Sequence, residues 1–380
     1  MINYLRTHWR LAICILLAVV VYCYMAFVCP HVMVARESSQ LFLWSWDYFF
    51  ERLMLPGGMA QWVAEFLVQF FNNPYVGAFI YVILFALLPK ILRWEGWLFA
   101  IGLLLLASCF YVPLTLTVAI VMVLRCWSEK DGWLMLAIKS AVLYWLAGPA
   151  VLLLAIRPSA KGWAWKSITV LLVTVFGIFL SSLFVPYPLT QIARGIDYYW
   201  EEEHKSTDEE MRYDMLVRMR DWDGIEQLSR EEPPQSLAAT NAVRLAQYYN
   251  KRLDGQMLYQ ELTTSNKVLR SEASAFLMSE IYLHTGMVNM SQRAVFEAME
   301  SIPNHNKSAR ALKRLTETSI ATGQYEVALK YLSILDCTTF YRGWAAKMRA
   351  MALHPEQISQ HDYYEKLQKA YAETKDMFFY

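Results

Sequence analysis

Charge is scarce in the first half of this chain. Residues 1–185 hold 12 Lys/Arg and 7 Asp/Glu, against 23 and 27 in residues 186–380. With 56% hydrophobic and 15% aromatic residues overall and a positive mean hydropathy, that shortage excludes an ordinary soluble protein of this length. The net charge of +1 is spread over membrane flanks and a mixed-charge surface, with no basic stripe, so no nucleic-acid partner is expected. Cysteine is sparse. Cys14, Cys23, Cys29, Cys109 and Cys126 lie in or beside apolar runs and only Cys337 in the polar half, so no disulfide framework is legible and packing is their expected role. Histidines (His8, His31, His204, His284, His305, His354, His361) are scattered without metal-ligand spacing. His354 and His361 sit seven apart with the helix breaker Pro355 between them. No Gly-rich phosphate loop follows a strand, because no strand-like alternation is present, and no serine nucleophile elbow occurs. No metal and no cofactor is expected.

What the first half does contain is apolar runs. Arg6, His8 and Arg10 precede Leu11–Cys29, a run too long and too bulky at its end for a cleaved signal peptide. It reads as an uncleaved first span with a cytoplasmic N-terminus. A second span runs from Pro74 to Leu88, followed by Lys90 and Arg93. Gly96–Trp127 is apolar throughout with Pro113 near its middle, and reads as one kinked span or as two short ones turning at Cys109–Pro113. Trp133–Ile156 and Ile168–Val185 complete a bundle of five or six spans, with Lys139 snorkelling to the interface.

The count sets the side on which the second half lies. Six spans leave 6 flanking Lys/Arg inside against 5 outside; five spans leave 7 against 4, with Lys139 omitted. The positive-inside rule therefore favours five spans and a periplasmic C-terminal half, while the length of Gly96–Trp127 favours six and the cytoplasm. Either number gives a multi-pass protein of a bacterial inner membrane, with the lipid bilayer as its first partner.

Between the first two runs lies an amphipathic loop over residues 35–73. In Gln40–Leu53, Asp47 and Glu51 stand at i, i+4 among Trp44, Trp46, Phe49 and Phe50. Pro56-Gly57-Gly58 breaks the helix. From Met59 to Phe71, Gln61, Glu65 and Gln69 fall at i, i+4, i+8 with apolar residues around the remainder, the pattern of a helix lying in the bilayer interface. The two polar stripes are expected to face a shared wet groove.

After Pro186 the pattern becomes amphipathic helices with short breaks. Tyr282 sits four before Gly286, Ala298 twelve after it and Pro303 seventeen after it; Leu315 sits eight before Gly323 and Ala328 five after it. Both segments resemble the tetratricopeptide helix-turn-helix unit, with Met278 and Leu315 at the same position. The glycines are 37 apart rather than 34, and Ser291 and Leu335 stand where the unit usually has alanine. The expected fold is thus all-α: a transmembrane domain over 1–185 and a soluble, tetratricopeptide-like α-hairpin superhelix over 186–380.

RESSQLFLWSWDYFFERLMLPGG, AEFLVQFF, LYWLAGP, RDWDGIEQL, NAVRLAQYYNKRLDGQMLYQ, RAVFEAMES, ALKRLTETSIATGQYEVALKYLSIL and FYRGWAAKMRAM together resemble a family of uncharacterised Bacteroidota membrane proteins. The resemblance implies several N-terminal spans, a helical-repeat C-terminus and longer members that continue past Tyr380. It implies no activity.

One enzymatic reading attaches to the loop. An acidic residue soon after a first span, followed by surface helices and further spans, resembles multi-span glycosyltransferases that use lipid-linked sugars. In that family an outer-loop carboxylate acts as base or metal ligand. Glu37 matches it best, with Asp47 and Glu51 behind it, because a carboxylate desolvated at a headgroup boundary is a stronger base. The structural reading has Glu37 capping or solvating a helix start, and Asp47 and Glu51 pairing with Arg36 or Arg52. The sequence favours a non-enzymatic membrane scaffold whose repeat domain holds a protein partner, with a glycosyl- or lipid-headgroup transferase centred on Glu37 as the alternative.

Overall fold

The computed structural model describes residues 2–87, 114–128, 130–156, 163–196, 198, 206–264, 266–302 and 307–374. All regular structure among them is helical, and no strand occurs among the described residues. The chain divides into two compact units, Met1–Met33 with Ser45–Trp200, and Val34–Trp44 with Glu201–Tyr380. The expected domains met at residue 185; the units meet after Trp200, and a short N-terminal segment belongs with the C-terminal helices.

The first unit starts with α1 (Ile2–Cys23), which continues into a π-helical turn at Tyr24–Val28. Pro30, which can open a helix but not continue one, begins α2 (Pro30–Ser38), bent by 74° from the preceding helix. Ser45 caps α3 (Trp46–Leu53) by accepting from the Tyr48 N–H. The expected break then falls between α3 and α4 (Gly58–Val68). Gly57 has φ 87°, and a Cβ on Gly58 would lie 1.7 Å from the Arg52 carbonyl oxygen, so the turn admits no side chain at either position. Asn73 caps α5 (Pro74–Ala86), whose first residue is the proline that tolerates that place.

There follow α6 (Leu114–Arg125), α7 (Trp133–Ala147) with a 3₁₀ continuation over Gly148–Ala155, α8 (Trp163–Ser182) and α9 (Leu189–Arg194). The small residues Ala60 and Ala64 let α4 sit against α6 and α7. Phe71, Tyr81, Leu124 and Leu136 fill the same core. Gly57 donates its N–H to the Trp145 carbonyl at 2.9 Å, and Gly148 approaches it closely with φ 61°. Lys139 reaches Asp131, in the segment ahead of α7, at 2.9 Å.

The expectation of five or six spans is corrected. Among the described residues two helices, Trp133–Ala155 and Ala164–Ser182, are long and apolar enough to cross a membrane, or three if the bent pair Ile15–Val28 and Pro30–Ser38 is one span. The helix at Pro74–Ala86 has 13 residues and Leu114–Arg125 has 12. At about 1.5 Å per residue these are roughly 20 Å long, short of a hydrocarbon core of about 30 Å. Their apolarity also serves protein packing, since Ala78, Ile80, Tyr81 and Leu84 of one and Leu114, Val118, Val123 and Leu124 of the other are buried in the unit's core. The stretch 96–113, on which the choice between five and six turned, lies outside the described residues, as do Lys90, Arg93, Arg157 and Lys161.

In the second unit, α10 (Asp208–Met219) opens with a capping box between Thr207 and Glu210. It is followed by α11 (Trp222–Glu231), α12 (Leu237–Tyr249), α13 (Gly255–Glu261), α14 (Glu272–His284), α15 (Val288–Glu300), α16 (Ala309–Ala321), α17 (Tyr325–Leu335), α18 (Arg342–Leu353) and α19 (Asp362–Thr374). The α14–α15 and α16–α17 hairpins turn on Gly286 and Gly323, both left-handed with φ 76° and 77°. Ser291, at the place where the repeat unit usually has alanine, is buried. Its Oγ donates to the Ser279 carbonyl at 2.8 Å and Ser279 Oγ donates to the Ser291 carbonyl at 3.0 Å, so the hydroxyls are satisfied where α14 and α15 meet. His354 and His361 flank a 3₁₀ segment, Pro355–Gln360, between α18 and α19.

Candidate functional site

The three acidic candidates divide between the units: Glu37 lies in the second, Asp47 and Glu51 in the first. Asp47 occupies the first turn of α3, where a negative charge suits the helix N-terminus, and is exposed. Glu51 shares its face one turn on, is largely exposed and lies 4.0 Å from Arg52.

The carboxylate that α3 and α4 bury is another one. Glu65, 1% exposed, accepts from the Tyr48 hydroxyl at 2.6 Å and from Gln61 Nε2 at 3.1 Å, and pairs with Arg52 at 3.1 Å. The expectation that this stripe faces a wet groove shared with Asp47 and Glu51 is therefore corrected. Gln61 and Glu65 face the buried side of α3, presented by Tyr48 and Arg52 at i, i+4.

The second unit is organised around residues 34–44. Glu37, with its side chain 6% exposed, has both oxygens engaged: Oε2 lies 2.9 Å from Arg218 Nη1 of α10, and Oε1 accepts from the Tyr341 hydroxyl at 2.9 Å. Burial works against the Arg218 charge, but Glu37, Tyr341 and Asp214 together outweigh it and raise the guanidinium pKa. Burial and Glu37 both raise the Tyr341 hydroxyl, which stays a donor.

At the next residue, Ser38 Oγ accepts from Arg310 Nη1 of α16 at 3.1 Å. Arg310 also holds Asp214 of α10 through two parallel bonds of 2.6 and 2.7 Å, touches Glu280 of α14 at 3.3 Å and lies over the Phe276 ring. Arg314 pairs with Glu280 and, at 3.0 Å, with Glu317. Burial pushes the Glu280 carboxyl up, but Arg314 and Arg310 hold it well below the usual carboxylate range.

Ser39 Oγ lies 2.5 Å from Glu272 Oε1 and 2.9 Å from the Ala35 carbonyl. A single hydroxyl hydrogen serves one of these, whereas a protonated Glu272 makes both bonds possible. Burial pushes Glu272 up to about 7, with Ser39 and Arg310 opposing the rise. The segment continues through Leu41, in the apolar cluster with Leu283, Leu312 and Leu332, and ends where the Trp44 N–H donates to the Cys337 carbonyl at 2.8 Å and its indole to Thr339 at 2.9 Å. Residues 34–44 thus touch α10, α14, α16 and the turn after α17.

This arrangement holds charge firmly and engages both Glu37 oxygens within the unit. Arg218, Arg310, Asp214, Glu272, Glu280 and Tyr341 were missed in the sequence. The one legible signal was on α16, where Arg310, Arg314 and Glu317 recur at i, i+4, i+7 and so form a charged face of their own beside the apolar one. Among the described residues no group of three or more His, Cys, Asp or Glu is placed to hold a metal ion.

No curated protein and no solved structure matches this sequence. A family model does, over residues 6–380, and the chain belongs to that family, DUF6057, a family of unknown function.

Proposed function

We propose that this protein is a membrane-anchored scaffold. The first unit sits in a bacterial inner membrane, and the second is a tetratricopeptide-like superhelix that holds a protein partner beside the bilayer. The observation that carries the reading is the environment of Glu37: both of its oxygens are engaged by Arg218 and Tyr341, so the carboxylate best matched to a transferase base serves to hold residues 34–44 among the helices. The paired turns at Gly286 and Gly323 support the repeat reading. A cytoplasmic N-terminus and an odd number of crossings carry the second unit to the periplasm, in keeping with the charge count. An accessibility tag at residue 380 tests this, with labelling of intact cells expected.

The functional test compares Glu37→Ala, Asp47→Ala and Glu51→Ala for lipid-linked glycan profile and for co-purified proteins. The expected result is that Glu37→Ala depletes the partner set and leaves glycans unchanged. Altered glycans with an intact partner set would overturn the scaffold in favour of a glycosyl- or lipid-headgroup transferase.

A further inference from the structure

By length and apolarity Trp133–Ala155 is one span, yet its contacts fold it in two. Helix α8 supplies the ruler, since Ser167 and Ser181 stand about 21 Å apart along it. Near its start, the Lys166 ammonium donates to the Asp131 carbonyl at 2.7 Å and Ser167 Oγ to the Ala155 carbonyl at 2.6 Å. Near its end, the Tyr144 and Ser181 hydroxyls meet at 3.1 Å, and a Cβ on Gly177 would lie 2.7 Å from the Tyr144 ring. Both ends of the stretch thus lie at one level of α8, and Tyr144 lies at another. Laid in line, α7 and its 3₁₀ continuation would be roughly 35–40 Å long, so the chain reverses between them.

The reversal is at Gly148. Its φ of 61° with ψ of −152° is outside the helical region and open to glycine alone. Pro149 follows and has no N–H for the Trp145 carbonyl four residues back, which accepts from Gly57 instead. The Ala147 carbonyl accepts from the Tyr198 hydroxyl. Leu55, in the α3–α4 corner, packs with Val185 and Ile192 just past the end of α8, so the corner and the hairpin tip gather at that end.

This tip is built for membrane depth. Ala147, Gly148, Pro149 and Val151 are buried, and irregular backbone within a bilayer is tolerated where protein covers it. Along α7, Leu134, Ile138 and Val142 are exposed at i, i+4, i+8, and along α8 so are Leu172, Phe176 and Leu180. Two neighbouring helices therefore present apolar stripes outward, as lipid contact requires.

We propose that Trp133–Ala155 is a re-entrant hairpin that enters the bilayer and leaves it by the same face, with acyl chains against Leu134, Ile138 and Val142. This hairpin deepens the scaffold reading and rests on it for the place of the first unit in an inner membrane. Charge gives that face its side. Arg125 and Lys130 precede the hairpin, Arg157, Lys161 and Lys166 follow it, and no Lys or Arg occurs between Lys166 and Arg194. A crossing would divide these cations two against three. The hairpin gathers all five on one face, which the positive-inside rule makes cytoplasmic. The chain then leaves α8 on the periplasmic face, whatever the number of crossings before it.

The test places single cysteines at Lys130, Ile156 and Leu189, all exposed, in the full chain with its native cysteines replaced by serine. A membrane-impermeant maleimide is applied to intact and to lysed spheroplasts. Leu189→Cys is expected to label in both, and Lys130→Cys and Ile156→Cys only after lysis. Labelling of Lys130→Cys and Ile156→Cys from opposite faces overturns the hairpin, and labelling of both in intact spheroplasts overturns its cytoplasmic side. An impermeant amine-reactive ester gives the same reading on the wild-type chain: Lys130 and Lys161 should react only after lysis, and reaction of one of them alone in intact spheroplasts overturns the hairpin. Carbonate washing keeps the two readings apart. Release of the protein from washed membranes would remove the membrane reading itself, whereas opposite-face labelling in membranes that retain it removes the hairpin and leaves the scaffold standing.

Discussion

Each unit buries one glutamate against a tyrosine hydroxyl and an arginine, and the two sites are built from opposite ends of the range of chain separations. In the first unit Glu65 meets Tyr48 and Arg52, 17 and 13 residues away, across a single Gly57-Gly58 turn. In the second unit Glu37 meets Arg218 and Tyr341, 181 and 304 residues away. The first is a local device that fixes α3 on α4. The second closes the chain on itself and makes residues 34–44 part of a helical unit that otherwise starts after Trp200. Similar groups therefore do different work: one sets a corner, the other joins distant segments.

The contrast breaks hardest at Arg310, which has no counterpart around Glu65. Arg310→Met removes the shared partner of Asp214, Glu280 and Ser38 and leaves buried acids uncompensated, so a loss of about 3–5 kcal/mol is expected in thermal or denaturant unfolding of the full chain. A loss below about 1 kcal/mol would mean that this network does not hold the unit together.

Glu272 gives the next largest effect, and its sign is fixed by its raised pKa. Between its ordinary value of 4.5 and the folded value of about 7, the folded chain keeps a proton that the unfolded chain has released. The stability contributed is full below pH 4.5, falls as pH rises towards 7 and is flat above, a total of about 3 kcal/mol. Glu272→Gln should remove that decline, which a pH series of unfolding midpoints checks. Glu280 works in the other direction: with its pKa lowered, it stabilises above pH 4.5 and loses that contribution as pH falls.

The two glutamates themselves sharpen the comparison. Glu37→Gln and Glu65→Gln should each cost about 2 kcal/mol, discounted from a fully buried pair because the arginines are partly exposed. Their reach should differ. Hydrogen exchange should rise in Glu65→Gln only over residues 46–68, but in Glu37→Gln over 34–44 and α10 together. The smallest effect belongs to the twin turns: Gly323→Ala has open space around it but φ 77°, so about 1 kcal/mol is expected from backbone strain alone.

These differences follow what a sequence can express. The Pro56-Gly57-Gly58 break and the glycine turns are local and were legible, because a left-handed residue is decided within a few positions, whereas the cap at Ser45 fell inside the helix expected over Gln40–Leu53 and was missed. Glu65 was visible as one stripe with Gln61, but its burial was not, since periodicity gives a face and not what covers it. The span count was overread for a similar reason: α5 and α6 are apolar partly for a protein core. Glu37 looked like a loop carboxylate because its partners are on α10 and beside α18, and nothing in residues 35–40 encodes a contact hundreds of positions away.

The account's central claim is that residues 34–44 are a structural part of the second unit, held by Glu37. Hydrogen exchange of the full chain, read by mass spectrometry on a peptide covering these residues, tests it most directly. The predicted result is protection at Ser39, Gln40 and Trp44 comparable to that of α10, lost together with α10 protection in Arg218→Met. Exchange of this peptide at an unprotected rate in the wild-type chain, with α10 fully protected, would contradict it.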